Sequence, residues 1–432
     1  MLNRFINIEN RFDRYVIHLF FFRITLKKNK TKTLQSDVGR IKSLLMDTRA
    51  MNGLMDIMLH QELIMELMLD RLYLMNHCKS NYIDCILDRA KSVSVSYWGN
   101  DKPAYIFDGL PSLFNVDNYR VFTDAHRTCA DCYCMWGTQP FNANIALTRE
   151  VLYHNKPLLF FEGGFISTIE SWGWVSSLTK YNQTISFVID DLSPYYDARR
   201  ANRLENMLED RSIVLSPEQF ERSRSLIKII LDNHISKYNH QPIFTPSIGR
   251  PNVKKVLVVD QCYNDMSIIK GGACEQTFSE MLQTAIDENP DADIIIKTHP
   301  DTISGAKGYF SKVKKADNIH PFTEAINPIC LLSYVEKVYV CTSQLGFEAL
   351  MLGKEVHVFG IPFYAGWGLT NDKQTSPRRT NKRSVEELFY IAYILYSYYV
   401  SPQTKKICQI EDAIQYIINT REEYFRTNSK LK

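Results

Sequence analysis

The sequence predicts an α/β protein: two Rossmann-like domains with parallel sheets, a helical N-terminal extension and a helical C-terminal segment. Three observations carry this. From about residue 92 to 383, strand-like apolar runs alternate with helical periodicity, the pattern of a parallel sheet covered on both faces. The stretch QPIFTPSIGRPN (241–252), with three prolines and a glycine, interrupts that alternation and reads as a linker. The chain has 432 residues, more than one core usually holds.

The N-terminal extension covers 1–90 and reads as mostly helical. In MNGLMDIMLHQELIMELMLDRLYLMNH (51–77) apolar residues recur at three- and four-residue spacing, and such a methionine stripe is more often core than a binding surface. YVIHLFFF (15–22) falls short of the roughly 20 apolar residues that span a bilayer. With RITLKKNKTK (23–32) behind it, the run reads either as a buried element before a solvated loop or as a segment resting on an anionic membrane.

The first domain is placed at 91–245. SVSVSYW, AYIFDG and YRVFTD read as strands, and NIALTREVLYHN as a helix. KPLLFFEGG is a buried strand running into a glycine turn, and TISFVIDD is another strand of the same kind. ANRLENMLED and PEQFERSRSLIKIILDNHISKYN follow as helices. The second domain is placed at 250–383. KKVLVVDQ is a strand, FSEMLQTAIDEN a helix stopped before Pro290, and ADIIIKTHPD a strand and loop. VEKVYVCTSQLGFEALMLG gives strand, tight turn and helix, and KEVHVFG the next strand. Ser384 and Glu387 form a capping box for VEELFYIAYILYSYY in the C-terminal segment, 384–432.

Composition excludes some functions. Charged residues are 23% and the net charge is +3, too balanced for a nucleic-acid binder. The ten cysteines follow no secretory leader, so reduced thiols in a cytoplasm are expected. Cys129, Cys132 and Cys134, with His126 nearby, are too compressed for a zinc site and no second pair follows. No metal is expected, and no cofactor.

Three loops of the second domain sit at strand carboxyl ends, where such sheets bind ligands. In CTSQLGFEAL (341–350), Thr342 and Ser343 precede a helix with Gln344 and Gly346 at its start, an anion site or an ordinary N-cap. Glu348 lies where it could accept from ribose hydroxyls. In KTHPD, His299 is fixed by Pro300 and stands near Lys297, suited to a phosphate oxygen and to stabilising a leaving phosphate. FGIPFYAGWGLTND (359–372) combines Phe363, Tyr364 and Trp367 with Gly366 and its fellow glycines, which suggests a shaped loop on a site's rim. In the first domain, Glu162 ends a strand before two glycines and is the candidate general base; a solvated turn is the plain alternative.

Taken together, VLVVDQ, KTHPD, TSQLGFEAL..GK and G.PFYAGWGLT.D, in this order, resemble the capsule polysaccharide biosynthesis family, and within it the KpsC-type β-Kdo transferases. WGTQPFNANIALTREVLYHNKPLLFFEGGFI (136–166) and VIDDLSPYYDARRANRLENML (188–208) are similar to that family's first domain, so the resemblance covers roughly 92–405. It implies a GT-B-like fold, a CMP-sugar donor, most simply CMP-Kdo, and a lipid-linked Kdo acceptor. By the same resemblance the protein acts with capsule synthesis and export machinery at the inner face of a Gram-negative cytoplasmic membrane, with RITLKKNKTK and SPRRTNKR available to anionic lipid. KpsC-type proteins carry two such modules and this chain reads as one. His299, Thr342 and Ser343 would hold the CMP phosphate, Glu348 the ribose, and Phe363, Tyr364 and Trp367 would wall the donor pocket. One departure stands out. The family pattern Glu-Asp-Gly reads Glu162-Gly163-Gly164 here, and the usual Arg-Ser reads Ser167-Thr168. The base therefore falls to Glu162 or to Asp197, or the module uses another sugar nucleotide, or it serves as a non-catalytic assembly or export protein.

Overall fold

The computed structural model describes residues 6–10, 14–19, 22–27, 48–76, 82–96, 109–114, 116, 119–122, 129–140, 142–171, 179–263, 265–298 and 308–428. His299, Pro300, His126 and the strand expected at 104–108 lie outside the described residues.

The N-terminal extension is not helical throughout. β1 (Ile6–Asn10), β2 (Arg14–Leu19) and β3 (Phe22–Lys27) pair antiparallel in a small sheet of their own. These segments are rich in β-branched and aromatic residues, and strand propensity wins there. The helical periodicity belongs to α1 (Thr48–Asn76), followed by α2 (Tyr82–Arg89). α1 buries Met65, Leu69 and Leu72 against Tyr133, Met135 and Phe160 of the first domain.

The first domain contains β4 (Val93–Ser96), α3 (Leu110–Phe114), β5 (Arg120–Phe122), β6 (Cys132–Trp136), α4 (Asn142–His154), β7 (Leu158–Gly163), β8 (Ser186–Asp190), α5 (Arg203–Glu209) and α6 (Pro217–Asp232). α6 starts where Ser216 and Gln219 cap each other and Pro217 fills the first turn. β4 to β7 run parallel, but β8 runs antiparallel to β7, so this sheet is mixed rather than parallel.

The second domain is parallel throughout. It comprises β9 (Lys255–Val259), α7 (Met266–Lys270), α8 (Glu275–Glu288), β10 (Asp293–Lys297), β11 (Ile319–Phe322), α9 (Pro328–Ser333), β12 (Lys337–Val340), α10 (Leu345–Met351), β13 (Glu355–Val358) and the short β14 (Asn371–Asp372). All five residues of β9 and of β10 are buried, as strands covered on both faces must be. β11 holds Pro321 and sits at the sheet edge, where a missing N–H is tolerated.

The C-terminal segment departs from its helical reading. α11 (Val385–Phe389) runs into a π-helical turn (Tyr390–Leu395), and the chain then extends as β15 (Ser397–Val400). β15 pairs antiparallel with β8, and β16 (Ile407–Cys408) follows it at the edge of the first domain's sheet. An open edge on β8 would leave backbone groups unpaired, and Tyr-rich SYYV satisfies them. Tyr396 adds a bond from its hydroxyl to Asp190 Oδ2 at 2.8 Å. α12 (Ile410–Thr427) closes the chain. Through this return one hydrophobic core joins both domains, with Phe165, Leu204 and Leu226 packed with Val340, Phe347, Trp367, Tyr393 and Ile417. Residues of both domains line one cavity, in keeping with the GT-B-like arrangement expected.

Candidate active site

The six-stranded sheet grows from β9 in two directions, through β10 to β11 on one side and through β12 and β13 to β14 on the other. That reversal opens a crevice beyond the carboxyl ends of β9 and β12, the place where open parallel sheets take ligands. A cavity of about 270 Å³ occupies it. Tyr195, Tyr196 and Lys237 line it from the first domain, and Lys297, Thr342 and Ser343 from the second.

Beyond β12, Thr342 is clamped by Gln261. The Gln261 Nε2 donates to Thr342 Oγ1 at 3.0 Å, and Gln261 Oε1 accepts from the Thr342 N–H at 3.0 Å. The groups expected to meet an anion at Thr342 are thus held by Gln261. Ser343 Oγ accepts from the Leu345 N–H at 3.3 Å just before α10, while its own hydroxyl proton remains a donor.

Gln344 and Glu348, a helical turn apart, cross the domain boundary. Gln344 Nε2 donates to Phe165 O at 2.7 Å and to Glu348 Oε1 at 3.3 Å. Glu348 is 2% exposed, and its Oε1 also accepts from Ser236 Oγ at 2.8 Å. Each residue lines the cavity and keeps one buried oxygen, Gln344 Oε1 and Glu348 Oε2, without a hydrogen-bond partner. Burial pushes the Glu348 carboxyl up to about 7, against the pull of the Ser236 and Gln344 bonds.

Lys297, at the end of β10, is buried, and its ammonium donates to Glu324 O at 3.2 Å. Burial lowers it to about 8. In the chain's other domain, Glu162 is the last residue but one of β7 and half-buried, with Oε1 accepting from the Tyr196 hydroxyl at 3.1 Å. Burial raises this carboxyl to about 7, with Lys237 and the Tyr196 bond pulling the other way. Glu162 does not itself line the cavity, but through this bond it touches a residue that does. Asp197 is fully buried and bonded to Arg199 and Arg200, with Lys270 Nζ at 3.4 Å. Burial pushes its carboxyl up, but Lys270 and the two arginines outweigh this and hold it below the ordinary range.

The aromatic loop is corrected most. Phe363 and Pro362 line the cavity, but Tyr364, Gly366 and Trp367 do not. Trp367 and Tyr364 have no exposed surface. The Trp367 Nε1–H donates to Phe363 O at 2.8 Å, and the Arg379 guanidinium lies 5.5 Å from the indole ring. Tyr364 donates to Ser343 O at 2.5 Å, and a Cβ on Gly346 would meet the Tyr364 hydroxyl at 2.1 Å. Gly346 is therefore a packing glycine against Tyr364, and the loop is a buried bracket behind the cavity wall. Its second support is Arg379, which bonds Pro362 O, Ala365 O and, across the domains, Glu205. Arg379 and Arg383 of SPRRTNKR are buried, so that segment offers no continuous basic face to lipid. Cys132 and Cys134 are buried core residues of β6, and Cys129 is exposed. No helix among the described residues is long and apolar enough to cross a membrane.

Sequence reasoning missed Tyr196, Ser236, Lys237 and Gln261. Only Gln261, at a strand end, carried a positional signal; the others meet the cavity through long-range folding.

A family model described as capsule polysaccharide biosynthesis protein matches residues 245–402. The capsule polysaccharide modification protein LipA of Neisseria meningitidis serogroup A is 38% identical over 314 residues, 70% of this chain and 43% of LipA. The chain thus spans less than half the length of that relative. The lipopolysaccharide-processing protein LpsZ of Rhizobium meliloti is 32% identical over 328 residues, 75% of this chain and 71% of LpsZ. Among solved structures, the β-Kdo 2,4 transferase of Thermosulfurimonas dismutans KpsC is 35% identical with a TM-score of 0.66, covering 76% of this chain and 98% of that one.

Proposed function

The chain belongs to the capsule polysaccharide biosynthesis family, and from that premise we propose that it is a glycosyltransferase that moves a sugar, Kdo in the first instance, from a CMP-activated donor to a lipid-linked capsule acceptor. The observation that carries the reading is the pair of partnerless buried oxygens, Gln344 Oε1 and Glu348 Oε2, on adjacent cavity residues. Such groups are costly unless a ligand supplies donors, and the ribose 2′- and 3′-hydroxyls of a nucleotide are two donors side by side. Lys297 and the Ser343 hydroxyl then meet the single phosphate, and the family resemblance adds His299 to them. That phosphate is offset without any metal in this reading. Phe363 closes the pocket against water.

The acceptor hydroxyl oxygen bonds to the anomeric carbon of the sugar. The bond from that carbon to the phosphate oxygen breaks, and its electron pair leaves with CMP. Glu162 takes the acceptor proton. Its carboxyl titrates near 7, matched to a general base at neutral pH, and the Tyr196 hydroxyl holds it in place. The lipid acceptor places the protein at the inner face of the cytoplasmic membrane as a peripheral partner of the capsule machinery.

A second reading, a non-catalytic assembly protein that keeps the pocket, is favoured by Gly163, which supplies no carboxylate where the family resemblance expects Asp. The test is CMP release from CMP-Kdo with a short Kdo-glycolipid acceptor, product mass being followed for wild type, His299→Ala and Glu162→Ala. A sugar added by wild type and lost in both variants supports the transferase with Glu162 as base. CMP binding without turnover supports the second reading or another sugar. No binding of CMP sinks both.

A further inference from the structure

α1 carries two acids one helical turn apart, Glu66 and Asp70, beside Met65 and Leu69, which it buries against the first domain. The two acids reach three cations. Arg200 donates from Nε to Asp70 Oδ1 at 2.7 Å and from Nη2 to Glu66 Oε2 at 2.8 Å. Arg199 Nη2 donates to Glu66 Oε1 at 3.1 Å. The Lys270 ammonium, fully buried at the end of α7, lies 3.4 Å from both Glu66 Oε1 and Asp197 Oδ2. Lys270, Arg199 and Arg200 thus face Glu66, Asp70 and Asp197, and α1 supplies two of these three carboxylates. Burial pushes the Glu66 carboxyl up, but Lys270 and the two arginines outweigh this and hold it below the ordinary range. The two domains alone would set the three cations against Asp197 only, and a buried charge left without its partner is strongly destabilising.

The cluster joins three parts of the chain at the cleft. Asp197, Arg199 and Arg200 follow directly on Tyr195 and Tyr196, which line the cavity from the first domain. Lys270 ends α7, and Asp265 and Ser267 at the start of that helix line the cavity from the second domain. A backbone bond runs alongside the ion pairs, from the Ala198 N–H to Lys270 O at 3.0 Å. Resting on the reading above for the reaction it serves, we propose that α1 is a clamp on the cleft and that Glu66 is its positioning residue, fixing the distance between α7 and Tyr196, which holds Glu162. The clamp has a firm seat, because the buried Asn76 at the end of α1 donates from Nδ2 to Asp191 O at 3.0 Å. Elsewhere along the boundary Arg378 and Arg379 hold Glu205 across the domains. Loss of Glu66 therefore loosens the part of the cleft at Tyr196 and leaves the domains joined. Such spacing matters to a transfer reaction, since a displacement of about 1 Å at a reacting group costs up to about 100-fold in rate.

Hydrogen–deuterium exchange reads the clamp, and turnover reads what it serves. Peptides spanning 195–200, which contain the Ala198 amide, and peptides of β9 are followed in wild type and in Glu66→Gln. The inference expects exchange at 195–200 to quicken about 10- to 100-fold, the span for one hydrogen bond to a charged group, while β9 keeps its wild-type rate. With CMP-Kdo and a short Kdo-glycolipid, kcat per folded molecule falls about 10- to 100-fold. The CMP dissociation constant changes less than about twofold, because the nucleotide contacts proposed above lie in the second domain. Asp70→Asn, at the more exposed acid, repeats both effects more weakly and carries the same test if Glu66→Gln does not fold. Equal quickening at 195–200 and in β9 would make α1 a purely structural element and overturn the inference, as would no change at 195–200. Faster local exchange with an undiminished kcat would overturn Glu66 as a positioning residue. If wild type transfers no sugar, the transferase reading falls, while the exchange comparison still decides the clamp.

Discussion

Replacing Trp367 by alanine separates two roles that an aromatic side chain in a glycine-rich loop can have. The indole has no exposed surface, and it packs in the core shared by the two domains. Truncating a fully buried Trp or Phe to Ala costs about 3–5 kcal/mol, the sum of lost transfer energy and the cavity left behind. Part of that loss is the Nε1–H bond to Phe363 O, worth about 1 kcal/mol net. The Arg379 guanidinium loses its ring contact but keeps Glu205 and two carbonyls, so the bracket loosens without losing its ion pair. The expected outcome is a urea unfolding free energy lower by about 3–5 kcal/mol. Under conditions where the variant is folded, the CMP dissociation constant should stay within about twofold, under roughly 0.4 kcal/mol. Trp367→Phe, which restores most of the volume, should recover most of the stability. A Trp367→Ala protein that unfolds at the wild-type urea midpoint yet no longer binds CMP would place the indole at the ligand and refute the packing argument.

Three further outcomes follow from the same geometry. Glu348 has a folded-state pKa of about 7 against an ordinary 4.5, so the folded protein holds that proton more tightly; its contribution to stability is complete below about pH 4.5 and is lost as pH rises through about 7. Glu348→Gln should flatten this dependence in chemical unfolding measured from pH 5 to 8, gaining up to about 3 kcal/mol on wild type at the alkaline end, while CMP binding weakens roughly tenfold from loss of a charged acceptor. Asp197→Asn leaves Lys270, Arg199 and Arg200 short of their buried counter-charge and should cost about 3–5 kcal/mol in urea unfolding; turnover per folded molecule persisting in this variant would exclude it as the base. Gly346→Ala drives a methyl into the Tyr364 hydroxyl and should lower stability by about 1–3 kcal/mol, read by thermal unfolding.

Local pattern by itself determined the elements whose physics is local. The runs VLVV and DIII are apolar on nearly every residue, which only a strand buried on both faces tolerates, and they are β9 and β10. The turn after β12 and the capping box at Ser384 were legible because strand ends and caps have short-range chemistry. The family resemblance, carried by strings such as PFYAGWGLT, pointed to the capsule polysaccharide biosynthesis family and the GT-B-like fold. Tertiary structure alone decided what depends on distant partners. SYYV carries a helical start signal upstream, yet becomes β15 because β8 has an edge to fill. Tyr364 and Trp367 look like rim aromatics until Gly346, Arg379 and Glu205 close around them from positions far apart in the chain. Asp197 and Glu162 are both acids near cleft loops; what separates them is that two arginines and a lysine surround one, while burial, only partly offset by Lys237 and the Tyr196 bond, poises the other near 7. Lys237 sits in a stretch that reads as the tail of a helix, and only its backbone bonds to Ser167 and Thr168 bring it to the cavity. Periodicity records which face of an element is buried, and says nothing of which other element it meets there; the charge on a carboxylate is set by that meeting.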